Sequence, residues 1–182
     1  MPKTSIGIIG GTGLYEIDGF ENAQWVRIES NFGEPSDELL IGDFEGHRLV
    51  FLPRHGRGHR IPPTEINYRA NIEILKKAGV DRIVSFSAVG SLKEEHKPGD
   101  FVLVDQFVDR TFAREKSFFS TGFVAHVSMA DPICSTTQAV IAEAASELGL
   151  DHAVGGTYLT MEGPQFSSRA ESELYRSWGC DV

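Results

Sequence analysis

Cysteine and long apolar runs are both scarce in this chain of 182 residues. The two cysteines, Cys134 and Cys180, lie far apart and form no Cys-x-x-Cys pair, so we expect reduced, buried thiols rather than a disulfide framework. No apolar run approaches the roughly 20 residues that span a bilayer. The N-terminal run is too short and glycine-rich for a signal peptide. These absences favour a cytoplasmic protein.

Basic residues are also fewer than acidic ones in this chain. The chain has 17 Lys and Arg residues against 26 Asp and Glu residues, which gives a net charge of −9. This balance argues against non-specific nucleic-acid binding, because no basic stripe would neutralise the phosphates. It leaves open a small anionic ligand held in a locally basic cleft.

Alternating strand and helix patterns predict an α/β fold, a single domain over residues 1–182 with a central mixed β-sheet flanked by helices. Glu45 and Gly46 form a predicted hairpin turn, and Ser168 and Glu171 form a predicted capping box. After a first strand that begins at Ile6, the predicted strands are 25–31, 39–44, 47–52, 83–86, 101–104 and 158–161. The predicted helices run from Pro62 to Gly79, over 136–148, and from Ser168 to Gly179.

The C-terminal residues read as the start of another strand. Gly179 ends the last predicted helix, and residues 180–182 follow it directly. A strand missing from a sheet leaves an exposed edge, so we expect the chain to lack the C-terminal part of its domain. A natural short tail is the alternative.

A glycine-rich turn follows the first strand at residues 10–13. Its glycines allow close backbone approach to a ligand, and Thr12 adds a hydroxyl, so the turn is suited to cradling an anion. A dinucleotide fingerprint would need glycine where Glu16 stands, and a P-loop would need a lysine. A phosphate cradle without a nucleotide signature remains, beside the alternative of a simple tight turn.

A dense basic run, residues 54–60, follows the strand 47–52. It holds three arginines and two histidines in seven residues, including Arg54 and His55. Guanidinium groups bind phosphate oxygens through paired N–H donors, and a histidine can add another, so the run predicts an anion clamp. A metal bound by His55 and His59 is disfavoured, because glycines break the helix that would pair them and arginines repel cations. A solvated charged loop is the alternative.

Two further loops carry candidate ligand-binding residues. Ser87 follows the predicted strand 83–86, so it, Thr12 and Arg54 all lie beyond strand ends, where ligands gather in α/β sheets. Phe166 lies in a Gly-Pro loop just ahead of the capped helix, where its ring can stack on a base or fill the core.

Together these stretches resemble the trimeric purine nucleoside phosphorylase superfamily, and within it the methylthioadenosine branch. Two motifs are specific for that branch: Asp-Gln-Phe-x-Asp-Arg-Thr at 105–111 and Phe-Ser-Ser-Arg-Ala-Glu at 166–171. The resemblance covers residues 6–182 and is carried by 6–13, 54–58, 67–71, 90–92, 98–100, 105–111 and 162–171. It implies a purine nucleoside phosphorylase-like fold.

The resemblance also implies a function and a set of binding residues. The expected enzyme is a pentosyltransferase that cleaves 5′-methylthioadenosine with phosphate, giving adenine and 5-methylthioribose 1-phosphate. Phosphate is the co-substrate, and no metal or organic cofactor is expected. The intact protein is expected to be a homotrimer. Carried over by position, the phosphate ligands are Thr12, Arg54, His55, Ser87 and the backbone of Ala88, and the substrate ligands are Met161, Phe166, Ser167 and His126, the last reaching a neighbouring subunit's pocket.

The resemblance places no catalytic acid within these residues. In the family, the carboxylates that protonate and identify the purine follow the position of Val182. General-acid assistance contributes about 10²–10⁴-fold, so we expect the 182-residue chain alone to turn over substrate poorly. The alternatives are a phosphorylase of methylthioinosine or another purine nucleoside, and a non-catalytic phosphate-binding fragment.

Overall fold

The strand that begins the chain, β1 (Ser5–Gly10), lies between two parallel neighbours, and its apolar side chains explain that position. The computed structural model describes residues 4–11 and 17–182. They divide into two units, Met1–Ala88 with Arg114–Phe118, and Val89–Ala113 with Phe119–Val182. Thr12 lies outside the described residues.

The elements of the first unit after β1 are β2 (Glu21–Val26), β3 (Leu39–Phe44), β4 (His47–Pro53), a short 3-10 turn (Pro63–Glu65), α1 (Tyr68–Lys77) and β5 (Arg82–Ser85). The five strands form a mixed sheet in the order β2-β3-β4-β1-β5. Its antiparallel part is β2, β3 and β4, and β1 pairs in parallel with both β4 and β5.

Alternation along β3 and β4 gives this sheet two apolar faces. Val50 and Leu52 pack with Leu39 and Ile41 against α1, which contributes Ile74, Leu75 and Ala78. On the opposite face, Leu49 and Phe51 pack with Leu40, and Phe20 meets the Phe51 ring edge to face at 5.4 Å. The β3–β4 hairpin turns at Glu45 and Gly46, as predicted, with φ angles of 45° and 84°.

The elements of the second unit are β6 (Phe101–Leu103), β7 (Gln106–Asp109), α2 (Ser135–Glu147), β8 (His152–Val154), β9 (Thr157–Thr160) and α3 (Arg169–Ser177). They form two parallel strand pairs, β6 with β8 and β7 with β9. A core cluster in this unit consists of Leu159, Tyr175 and Cys180, with Met161 packed against it. No helix of the described ranges is long and apolar enough to cross a membrane.

The predicted α/β class with a mixed sheet is confirmed, while several local predictions were wrong. The strand predicted over 25–31 ends at Val26, and β7 and β8 were not predicted. The strand predicted over 83–86 is present as β5, and its Ile83 is 41% exposed because β5 lies at the edge of the sheet and pairs with β1. Cys180 is buried as expected, whereas Cys134 is exposed.

Candidate active site

Three parallel strands end side by side at one edge of the first unit's sheet. Gly10 of β1 stands opposite Pro53 of β4, and Ile9 stands opposite Ser85 of β5. Two backbone hydrogen bonds extend this pairing: the Arg54 N–H donates to the Gly10 carbonyl at 3.0 Å, and the Phe86 N–H donates to the Ile9 carbonyl at 2.8 Å. The residues that follow β4 and β5 therefore lie on either side of the C-terminal end of β1.

Arg54 and Ser87 meet at this edge. The Arg54 Nη1 donates to Ser87 Oγ at 3.1 Å and to the Phe86 carbonyl at 2.9 Å. Among the described residues no carboxylate pairs with Arg54, and its Nη2 makes no hydrogen bond. A half-buried guanidinium that lacks a carboxylate partner can bind an anion. Ala88 follows Ser87 directly and is exposed.

His55 joins the same cluster but contacts Arg54 rather than open space. Its Nε2 accepts from the Arg54 Nε at 3.2 Å, and its Nδ1 lies 2.9 Å from the Ile61 carbonyl. Both contacts fit a neutral imidazole protonated on Nδ1. Burial lowers the pKa of His55, the positive charges of Arg54 and His59 lower it further, and the Ile61 carbonyl opposes them.

The other two arginines of the run 54–60, Arg57 and Arg60, have hydrogen-bond acceptors within the first unit. The Asp37 carboxylate accepts from the Arg57 backbone N–H at 2.6 Å and from its Nη2 at 2.8 Å, and Glu38 accepts from the same Nη2 at 3.0 Å. Arg57 also lies 4.0 Å over the Trp25 ring. Arg60 donates to the Ser36 carbonyl. Among the described residues, Arg57 therefore has carboxylate partners, whereas Arg60 and Arg54 donate to neutral groups, and Arg54 is the arginine that contacts Ser87 at the sheet edge.

Asp37 is the carboxylate that pairs with Arg57, and its sequence position gave no sign of this contact. Its carboxylate is buried; burial raises its pKa, but the hydrogen bonds and charge of Arg57 outweigh this, so the pKa is lowered overall. The His55 and His59 rings are stacked, with their centroids 4.3 Å apart. No group of three metal-binding side chains occurs in the described part of the chain.

The predicted substrate residues of the second unit lie on two segments. Met161, Phe166 and Ser167 belong to one loop, residues 161–168, which we call the substrate loop. Within it Phe166 is 92% exposed, Met161 is packed against the core, and the Ser167 and Ser172 hydroxyls lie 2.8 Å apart. The predicted capping box holds the end of this loop, because Ser168 accepts from the Glu171 N–H and Glu171 accepts from the Ser168 N–H.

His126 lies on a separate exposed segment. Every residue from 120 to 130 is exposed, including Val124 at 74% and Val127 at 75%. One end of the segment is tied to β7, because Gln106 Nε2 donates to the Ala130 carbonyl at 2.9 Å.

Comparison with known proteins agrees with this architecture. The S-methyl-5′-thioadenosine phosphorylase of Cereibacter sphaeroides is 60% identical over 180 residues, covering 99% of this chain and 62% of that protein. That of Rhodospirillum rubrum is 58% identical over 97% of this chain and 60% of its own length. The corresponding protein of Thermofilum pendens is 50% identical, with 100% and 70% covered. The chain thus spans about three fifths of the length of the first two relatives.

Solved structures share the fold. A methylthioadenosine phosphorylase from an antarctic soil metagenomic library superposes with a TM-score of 0.93 at 47% identity, covering 100% of this chain and 64% of that one. A methylthioadenosine phosphorylase from Schistosoma mansoni in complex with adenine superposes with a TM-score of 0.92 at 36% identity, covering 98% and 72%. A family model described as the phosphorylase superfamily matches residues 5–182. Because that model matches nearly the whole chain, the chain belongs to the phosphorylase superfamily.

Proposed function

We propose that this protein is a pentosyltransferase that cleaves 5′-methylthioadenosine with inorganic phosphate, releasing adenine and 5-methylthioribose 1-phosphate. The observation that carries the proposal is Arg54, which is half-buried at the sheet edge, contacts Ser87 and has no carboxylate partner among the described residues. The names of the relatives support the nucleoside, and the adenine bound by one of them supports the base.

The proposed reaction transfers a sugar from nitrogen to oxygen. A phosphate oxygen bonds to the anomeric carbon while the bond from that carbon to the purine nitrogen breaks, its electron pair leaves with the base, and adenine takes up one proton. The transition state resembles an oxocarbenium ion, so a phosphate oriented beneath the ring stabilises its positive charge. We assign phosphate to Thr12, Arg54, Ser87 and the Ala88 backbone, with His55 orienting Arg54.

The substrate loop supplies the proposed purine contacts. We assign Phe166 to the face of the base, Ser167 to its edge and Met161 to the sugar side of the pocket. The 92% exposure of Phe166 supports this assignment, because a core phenylalanine would be buried. The proposal requires no metal or organic cofactor.

We further propose a homotrimer in which His126 completes the methylthio pocket of a neighbouring subunit. The exposed apolar side chains around His126 support an interface there, since contiguous exposed apolar surface marks interaction sites. Cyclic assembly of identical chains would then repeat the same contact three times. The cytoplasmic location remains a prediction from the sequence.

Product analysis tests the proposed reaction. The protein is incubated with 5′-methylthioadenosine and phosphate, and the sugar product is identified by mass. We expect adenine and a phosphorylated sugar in equal amounts. Free methylthioribose would instead identify a hydrolase, and a preference for methylthioinosine would assign a different purine.

A further inference from the structure

The carboxylate of Glu162 joins two segments that are distant in the sequence. One oxygen, Oε2, accepts from the Phe112 N–H at 2.6 Å and from the Ala113 N–H at 3.0 Å. These are successive amides, and a carboxylate that accepts from two N–H groups forms charge-assisted hydrogen bonds stronger than neutral ones. Glu162 is half-buried, and it lies directly before the exposed part of the substrate loop.

The segment that Glu162 holds also makes backbone hydrogen bonds to β9 and side-chain hydrogen bonds within itself. The β7–β9 ladder ends at the pair Asp109 and Thr160, and the Arg110 N–H then donates to the Thr160 carbonyl at 2.8 Å. Asp109 Oδ1 accepts from both the N–H and the hydroxyl of Thr111. β9 ends at Thr160, and two residues further on the Glu162 side chain accepts from the N–H groups of residues 112 and 113. The substrate loop is thereby attached to the end of a strand.

The two ends of the substrate loop are held in the same chemical way. Glu171 accepts from the Ser168 N–H at 2.7 Å and its hydroxyl at 2.8 Å at the helix end, and Glu162 holds the strand end. Between them, Phe166 makes little contact with its own chain, since 92% of it is exposed. The position of its ring therefore depends on the two anchors.

From this geometry we infer that Glu162 is a positioning residue for nucleoside binding. Its two hydrogen bonds from the amides of Phe112 and Ala113, which we call the clasp, fix the strand end of the loop that carries Phe166 and Ser167. The inference rests on the proposed function of that loop. The phosphate residues Arg54 and Ser87 are on other elements, so loss of the clasp affects the nucleoside and leaves phosphate binding unchanged.

The test compares Glu162→Ala, Glu162→Gln and the control Glu173→Ala, which alters an exposed glutamate of α3. KM is measured for 5′-methylthioadenosine at saturating phosphate and for phosphate at saturating nucleoside. We expect Glu162→Ala to raise the nucleoside KM about tenfold or more and to leave the phosphate KM within about twofold. Glu162→Gln retains an acceptor oxygen without the charge, so its nucleoside KM falls between those of wild type and Glu162→Ala. The control matches wild type.

Amide hydrogen exchange tests the clasp independently of activity. We expect faster exchange at Phe112 and Ala113 in Glu162→Ala, with an unchanged rate in Glu173→Ala. Unchanged exchange, or equal increases in both KM values, would overturn the inference. If the wild-type protein cleaves no nucleoside, the proposed function fails, and the exchange rates and the affinity for adenine alone still decide whether Glu162 positions the loop.

Discussion

At the scale of single residues, the chemistry of the partners distinguishes Arg54 from Arg57. Arg57 is neutralised by Asp37 and Glu38, whereas Arg54 contacts a hydroxyl, a carbonyl and an imidazole, all uncharged in the arrangement described. A guanidinium without a carboxylate partner gains the most interaction energy when it binds a phosphate. Spacing along the run 54–60 alone does not distinguish the two arginines, because the carboxylates that neutralise Arg57 are about 20 residues upstream.

Replacing Arg54 by alanine should weaken phosphate binding by about 1.5–3 kcal/mol, the typical contribution of hydrogen bonds to charged groups. Isothermal titration with phosphate measures the change. Arg27→Ala is the matched control, because Arg27 is exposed and pairs with the exposed Glu34, and it should leave phosphate affinity unchanged. Equal affinity in Arg54→Ala and wild type would show that the cluster at the sheet edge is not the anion site.

His55 should titrate below its ordinary pKa of 6.5 in the ligand-free protein. Burial and the nearby positive charges favour the neutral ring, so as the pH falls below about 6.5 the unfolded chain takes up this proton before the folded one does. The contribution of His55 therefore makes the folded state less stable at lower pH, and protonation would also break the contact from Arg54 Nε. NMR titration of the His55 ring measures its pKa, and a midpoint above 6.5 would contradict this account.

At the scale of elements, the sequence predicted those turns and helix ends that depend on residues close together in the chain. The Glu45-Gly46 hairpin, the Ser168–Glu171 capping box and the glycine that follows each helix all depend on neighbours within a few residues, and they were found. The Asp37–Arg57 and Glu162–Phe112 contacts join residues far apart in sequence, and no periodicity encodes them. On α3, Leu174 and Trp178 are about half exposed, and Tyr175 is the side chain that packs with Leu159.

The β3 strand contains one position where only glycine fits. A Cβ at Gly42 would lie 2.5 Å from the Phe20 ring and 2.8 Å from the Glu21 carbonyl oxygen, and Phe20 is already packed against Phe51. Gly42→Ala should therefore lower the free energy of unfolding by about 1–3 kcal/mol, as overpacking usually does. Chemical denaturation measures it. Gly90→Ala, at an open position, is the control, and equal stability of the two variants would contradict the described packing.

At the scale of the whole molecule, the exposed apolar surface around His126 requires a partner in the proposed assembly. Sedimentation should therefore show a trimer. Val127→Glu places a charge on a side chain that is 75% exposed in the single chain, so it should dissociate the trimer without unfolding the subunit. Gln24→Glu adds the same charge to an exposed strand of the first unit and should leave the trimer intact. A monomeric wild type that cleaves nucleoside would contradict the role given to His126.

The strand-end cluster of Arg54 and Ser87 is the proposed binding site of the phosphate that attacks the nucleoside. The most direct measurement is the rate of adenine release from 5′-methylthioadenosine as phosphate concentration is varied, for wild type and Ser87→Ala. We expect the wild-type rate to be negligible without phosphate and to saturate as phosphate is added. We expect a higher phosphate KM for Ser87→Ala. Adenine release that is independent of phosphate, or identical phosphate dependence in the two proteins, would contradict it.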